Sequence, residues 1–419
     1  MIPNAEKTVF VNGLKIITES IPSVRSAAFG IMVGAGSGDE LDDEAGLTHF
    51  IEHMAFKGTP KRSAFQIAEA LDEVGGKFNA YTSKEQTMYY AVVLDKHLDK
   101  AIDVVSDIFI NPLLKKEDID MEKGVILEEI NMYEDTPDEL IHDLFAETIL
   151  HGHPLGLPTI GSKESIRGFG RDSFVKYRER LYRPDNVIVS AAGNLEHKKV
   201  VEMVGEQFKM FSGKRDKKIQ PEPKINGEIK VKNKKTEQIH LCLGVKGLSQ
   251  IDDNRYTFSL MDSILGGSMS SRLFQEVREK RGLAYAVYST SSPFRDFGIF
   301  YVYAGTEKKN LEQVIELILK EFTKMKKQGL TQKEFERAKE HHKGTMVIGL
   351  ESTLSRMSYI TKSMFYYDRV ITIEELFEKI DKVSLDDIIK LAENIFQEKY
   401  LTLTIIGDIK ESPVKKLSC

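Results

Sequence analysis

The chain has 419 residues, of which 41% are hydrophobic and 29% charged, with a formal net charge of -5. That length exceeds one ordinary core and fits two domains of roughly 200 residues each. The balance is that of a globular protein, and it excludes both a disordered chain and a polyanion-binding surface, so no nucleic-acid partner is expected.

The N-terminal Met-Ile-Pro-Asn-Ala-Glu-Lys-Thr-Val has no basic stretch followed by an apolar run, and no later segment is long and uncharged enough to span a bilayer. A cytoplasmic location without membrane contact is the expectation. In chain order, the first informative element is Gly46-Leu-Thr-His-Phe-Ile-Glu-His-Met-Ala-Phe56. His49, Glu52 and His53 stand at i, i+3 and i+4 and share one helical face, which leaves Leu47, Phe50, Ile51 and Met54 for a core. Two neutral imidazoles one turn apart can reach one zinc ion, and a glutamate beside them can take a proton from water. A histidine pair alone at this spacing is more often a surface accident than a metal site. The intervening glutamate completes the His-x-x-Glu-His pattern known as the inverzincin signature.

Next, Gly75-Gly-Lys-Phe-Asn-Ala-Tyr-Thr-Ser83 reads as a turn and a strand, and the alternating run 87–94 as another strand. Helical patterns follow at 98–109 and 115–132. In the second of these, Glu122 and Glu129 lie two turns apart on one face, with Glu128 about a quarter turn away. A catalytic zinc needs a third protein ligand and an open position. Glu129 is the candidate ligand, and Glu122 is a carboxylate that could accept an imidazole N–H and hold its tautomer. His151 and His153, in a Gly/Pro-containing loop, and His341 and His342, in a charged helix, read as solvated or structural.

The polar, basic, proline-bearing stretch that ends at Lys224 is the best linker, placed at 214–224. It divides a catalytic zinc-binding domain, 1–213, from a homologous domain, 225–419, that binds no metal. The strand-like 186–195 is matched by 400–409, and the helical pair 98–109 and 115–132 by 311–325 and 331–346. With Leu114 opposite Leu330, Ala338 falls opposite Glu122 and Thr345 opposite Glu129, so the second copy lacks the carboxylates. The fold class expected is α+β: two homologous domains, each a mostly antiparallel sheet with helices packed on one face. Cys242 sits in an apolar run read as a buried strand and Cys419 is the last residue, so neither a disulfide nor a thiolate ligand is expected.

From His49 to Glu129 the sequence resembles the inverzincin peptidases of the pitrilysin, insulin-degrading enzyme and mitochondrial processing peptidase group. In that family the motif is followed, at a similar interval, by a glutamate ligand; here 75 residues separate His53 from Glu129. The resemblance covers nearly the whole chain, and the length is similar to the bacterial processing-peptidase-like subfamily. It implies one zinc ion per chain, held by His49, His53 and Glu129, with Glu52 as the base. It also implies an edge strand beside the metal, where Asn79 and Ala80 hydrogen-bond a peptide docked as an extra strand and Tyr81 lines a side-chain pocket.

In the second half, Arg278 and Tyr285 match a pair that meets the substrate in that family. The tyrosine hydroxyl could stabilise an oxyanion and the arginine could hold the substrate backbone. The family architecture implies two such chains closing around a chamber. The expected partner is therefore a second copy, with a related chain as the other option, that supplies Arg278 and Tyr285 in trans. The activity so implied is that of a zinc metalloendopeptidase acting on peptides or unfolded precursor segments. The alternative class is a noncatalytic partner or scaffold subunit, which an intact motif disfavours.

Overall fold

The computed structural model of the protein describes residues 5–216, 222–327 and 330–419. The first half runs β1 (Ala5–Val9), β2 (Lys15–Ser20), β3 (Ser26–Val33), α1 (Leu47–Ala55), α2 (Ala64–Asp72), β4 (Lys77–Thr82), β5 (Thr87–Leu94), α3 (Leu98–Ile110), α4 (Lys116–Glu134), α5 (Pro137–Ile149), α6 (Lys163–Gly168), α7 (Arg171–Leu181), β6 (Val187–Gly193) and α8 (His197–Gln207). The second runs β7 (Ile229–Asn233), β8 (Ile239–Gly247), α9 (Arg255–Leu265), β9 (Ala284–Pro293), β10 (Gly298–Thr306), α10 (Leu311–Lys327), α11 (Gln332–Gly349), α12 (Thr353–Tyr367), α13 (Ile373–Lys382), α14 (Leu385–Ile395) and β11 (Thr402–Gly407). A π-helical turn, Phe274–Glu279, precedes β9.

The strand order is β1-β2-β6-β3-β5-β4 in one sheet and β7-β11-β8-β10-β9 in the other. Each has one parallel pair, β2 with β6 and β7 with β11, among antiparallel ladders. Pairing β7, β11, β8, β10 and β9 with β2, β6, β3, β5 and β4 gives the same order twice, so the repeat seen in the sequence is also a repeat of topology. The α+β class with two related, mostly antiparallel sheets is as expected.

The domain boundaries differ from the expected contiguous halves. One compact unit comprises Met1–Ile130, Leu157–Gln220 and Val347–Ile373; the other comprises Asn131–Gly156, Pro221–Met346 and Glu374–Cys419. Helix α5, from the first half of the sequence, belongs to the second unit, and α12, from the second half, belongs to the first. The physical reason lies in the sheets, whose central strands are buried on both faces and so need two covering layers. On β3, Ala27, Phe29, Ile31 and Val33 face the core built by α1, α3, α7 and α8. The alternate residues Ala28 and Met32 face Met357, Ile360 and Met364 of α12. At Gly30 a Cβ would come within 2.4 Å of the Met88 methyl and 3.0 Å of the Met357 methyl, so a glycine lets α12 lie close.

Polar bonds fix the same helix. The Arg356 guanidinium donates to Glu19 Oε1 at 2.6 Å, and Thr361 Oγ1 donates to Ser190 Oγ at 2.6 Å. In the second unit Ile141, Leu144 and Phe145 of α5 pack on Cys242, Ile299, Tyr301 and Ile406. On the other face Phe300 meets Phe258 and Phe396. Helices on one face thus describe only what each half supplies to its own sheet; the exchanged helix covers the other face.

Of the expected linker, 217–221 lies outside the described residues. Arg215, just before it, is tied to the first unit through Asp39 and Asn186, each at 2.9 Å. Both cysteines are free, and Cys242 is buried in β8. No helix among the described residues is long and apolar enough to cross a membrane.

Candidate metal centre

Helix α1 starts at Gly46, whose φ of 90° and contact with residues 160–161 admit no side chain: a Cβ would meet the Ile160 carbonyl oxygen at 2.5 Å. The buried Glu40 carboxylate caps the helix, accepting the N–H groups of Gly46 at 2.9 Å and Thr48 at 2.7 Å. Leu47, Phe50, Ile51 and Met54 are buried, which leaves His49, Glu52 and His53 on the remaining face. The two imidazole rings are 4.6 Å apart and inclined at 64°.

Helix α4 brings the carboxylates. Ile119, Glu122, Ile126 and Ile130 form its buried face. Glu129 Oε1 lies 3.9 Å from His49 Nε2, and its Oε2 lies 3.7 Å from His53 Nε2. Donors each about 2.0–2.1 Å from one zinc ion are at most about 4.2 Å apart, so these separations suit an ion between them. Among the described residues these three form the only group of three or more His, Cys, Asp or Glu donors so close together. In the second half Ala338 is buried and the Thr345 hydroxyl donates to the His341 carbonyl, so the two positions that match Glu122 and Glu129 carry no carboxylate.

The electrostatics fit a cation. Burial, and then the neighbouring His53, push His49 down to about 4, so it is a neutral ligand at ordinary pH. Burial raises Glu129, whose ion-pair partners among the described residues are the two imidazoles alone. Burial would also raise Glu122, but hydrogen bonds from His53 and Lys57 outweigh it and hold that carboxyl below its ordinary range. Glu122 Oε1 sits 2.8 Å from His53 Nδ1 and Oε2 2.5 Å from Lys57 Nζ. An ionised acceptor at Nδ1 puts the ring proton there and leaves Nε2 free toward Glu129. Glu52 is raised by burial, against the pull of the Thr82 hydroxyl that bonds its Oε2 at 2.5 Å. The roles of Lys57 and Thr82 had no signal in the sequence beyond their proximity to the motif and to the strand.

Strand β4 is an edge strand, paired only with β5. Phe78 and Ala80 share the core of α1, and Thr82, of the same parity, reaches Glu52. Asn79 is exposed, and its Oδ1 accepts the Ala80 N–H at 2.8 Å. The Tyr81 ring packs with the α12 cluster, on the face of the sheet opposite the histidines. Strand alternation is the signal that separates it from Ala80 and Thr82.

Arg278 and Tyr285 lie in the second unit, and the structure brings them together with each other. The guanidinium stands 4.8 Å from the Phe274 ring centre and 4.9 Å from that of Tyr285. Tyr285 is the second residue of the edge strand β9 and is 77% exposed. Of the remaining histidines, His153 is buried and structural, its Nδ1 accepting the Leu155 N–H.

A family model described as insulinase (peptidase family M16) matches residues 15–163, and one described as peptidase M16 inactive domain matches residues 168–341. A Streptomyces coelicolor protein named an uncharacterized zinc protease is 41% identical over 424 residues, covering 99% of this chain and 92% of its own. A Bacillus subtilis protein of the same description is 41% identical over 389 residues, covering 93% and 95%. Among solved structures, a protease from Helicobacter pylori has a TM-score of 0.90 at 22% identity, covering 97% of this chain and all of that one. A Pseudomonas fluorescens structure described as a peptidase M16 inactive domain has a TM-score of 0.91 at 19% identity, covering 98% of this chain. At those identities the two structures speak for the fold alone.

Proposed function

This chain belongs to the M16 family of peptidases, and from that premise we propose that it is a zinc-dependent endopeptidase acting on peptides or unfolded precursor segments docked along β4. The observation that carries the proposal is the convergence of His49, His53 and Glu129 with Glu52 beside them. Zinc held by the first three would supply a Lewis acid that polarises a carbonyl and acidifies water. Glu52 takes the proton from the attacking water and delivers it to the leaving amine. Burial raises that carboxyl above its ordinary range, which makes it the readier proton acceptor. Glu122, kept charged by Lys57, orients the His53 ring. Along β4 a peptide strand takes over the Ala80 N–H now held by the Asn79 side chain, and main-chain bonds present its scissile carbonyl.

Tyr285 is assigned to the oxyanion and Arg278 to the substrate backbone, both supplied by a second copy of the chain in trans. The exposure of Tyr285 and the stacking of Arg278 on it support that assignment. Incubating the protein with a quenched peptide library, with and without a chelator, tests the activity: hydrolysis abolished by the chelator and by Glu52→Gln is expected. Cleavage that survives both would refute the metallopeptidase reading, and no cleavage despite bound zinc would favour the noncatalytic subunit. Mixing Glu52→Gln with Tyr285→Phe tests sharing, and activity that fails to recover argues against a trans arrangement.

A further inference from the structure

We propose that Thr82 is a positioning residue that fastens the Glu52 carboxylate to strand β4, so that the base and the docked peptide are held by one element. The inference rests on the peptidase reading above. Thr82 is the last residue of β4, with its side chain on the α1 side, and its Oγ1 donates to Glu52 Oε2 at 2.5 Å. That is the length of a hydroxyl bond to an ionised carboxylate, which is about twice as strong as a neutral one. It is also the one hydrogen bond from a described residue to the Glu52 side chain, so Oε1 is left for a water.

The anchor is stiff at every step. A β-branched side chain has few χ1 options. Thr82 pairs with Thr87 of β5, whose own hydroxyl donates to the Ala35 carbonyl at 2.9 Å. The turn that follows is closed by the Ser83 N–H to the Gln86 carbonyl at 2.8 Å, and pinned by the Ser37 N–H to the Ser83 carbonyl at 3.0 Å. A glutamate side chain free to rotate would spend most of its time out of reach of a water beside the metal ligands. One held from the docking strand keeps its place relative to the residues that set peptide register.

Thr82→Val keeps the shape and removes the donor, Thr82→Ser keeps the donor, and Thr82→Ala guards against a misfolded valine variant. Turnover, KM, zinc content and the 13C carboxyl resonance of Glu52 in zinc-free protein, assigned through Glu52→Gln, would be measured for each. The expectation is a fall in kcat of about 10- to 100-fold for the valine and alanine variants, the scale of a lost hydrogen bond to a charged group, with KM and zinc content unchanged. Serine restores turnover, and the Glu52 resonance moves in the first two variants alone. An unmoved resonance, a loss wholly in KM, or a serine variant as slow as valine overturns the proposal. If the wild-type protein cleaves no peptide while the resonance still moves, the peptidase reading falls and the fastening stands.

Discussion

Replacing Glu122 by glutamine isolates the coupling between the buried carboxylate and the candidate metal site. The side chain is 4% exposed and is held from both sides, by His53 Nδ1 at 2.8 Å and Lys57 Nζ at 2.5 Å. With the amide oxygen toward His53, its NH2 group faces the Lys57 ammonium, donor against donor. Flipped, it places NH2 against Nδ1 and drives the ring proton to Nε2, the atom that faces Glu129. Either arrangement costs a buried polar contact, and loss of such an outer carboxylate typically weakens metal binding about 10- to 100-fold, or about 1.4–2.7 kcal/mol. Competition with a chromophoric chelator at fixed pH would measure this for Glu122→Gln, Lys57→Met and Glu129→Gln, with the last expected to lose most. Zinc affinity unchanged in Glu122→Gln but lost in Glu129→Gln would refute the role of Glu122. Affinity unchanged in Glu129→Gln would remove the site itself.

Two further outcomes follow from buried charges away from the histidines. Burial pushes Glu40 up to about 7 from an ordinary 4.5, against the Thr48 and Gly46 bonds, so the folded state holds this proton more tightly than the unfolded chain. The contribution to stability is full below about pH 4.5 and lost as pH rises through about 7. Melting curves across that window should show Tm falling in the wild type and a shallower fall in Glu40→Gln; parallel curves would contradict the assignment. Arg356→Ala strands the Glu19 carboxylate, whose side chain is 5% exposed, beneath α12. A cost of about 3 kcal/mol is expected, seen as a lower Tm and largely recovered by adding Glu19→Gln; an unchanged Tm would show that the pair does not hold the helix.

Much of the site was legible because it depends on local geometry. The i, i+4 spacing fixes His49 and His53 on one face of α1, and the two-turn spacing of Glu122 and Glu129 does the same on α4. The topological repeat was legible too, since matched apolar runs and matched breaks mark matched elements. What escaped depends on contacts between distant elements. The apolar faces of α5 and α12 say that each is covered, but not by which sheet, so the exchange of helices could not be read from periodicity. Lys57 and Thr82 are ordinary residues until folding sets them against Glu122 and Glu52. Tyr81 is different: strand parity alone separates its face from that of Ala80.

The exchange of α5 and α12 also sets a timetable for synthesis. The back of the first sheet, with Ala28, Met32 and Met88, waits for α12, and the unit is complete only at Ile373 of a 419-residue chain. Ribosomes add about 5–20 residues per second, so this apolar surface stays bare for on the order of ten seconds after the last strand of its sheet has emerged. The first helix of the candidate metal site is among the first parts translated, yet its unit does not close until Ile373, and during that interval the nascent chain depends on whatever shields an open sheet from its neighbours.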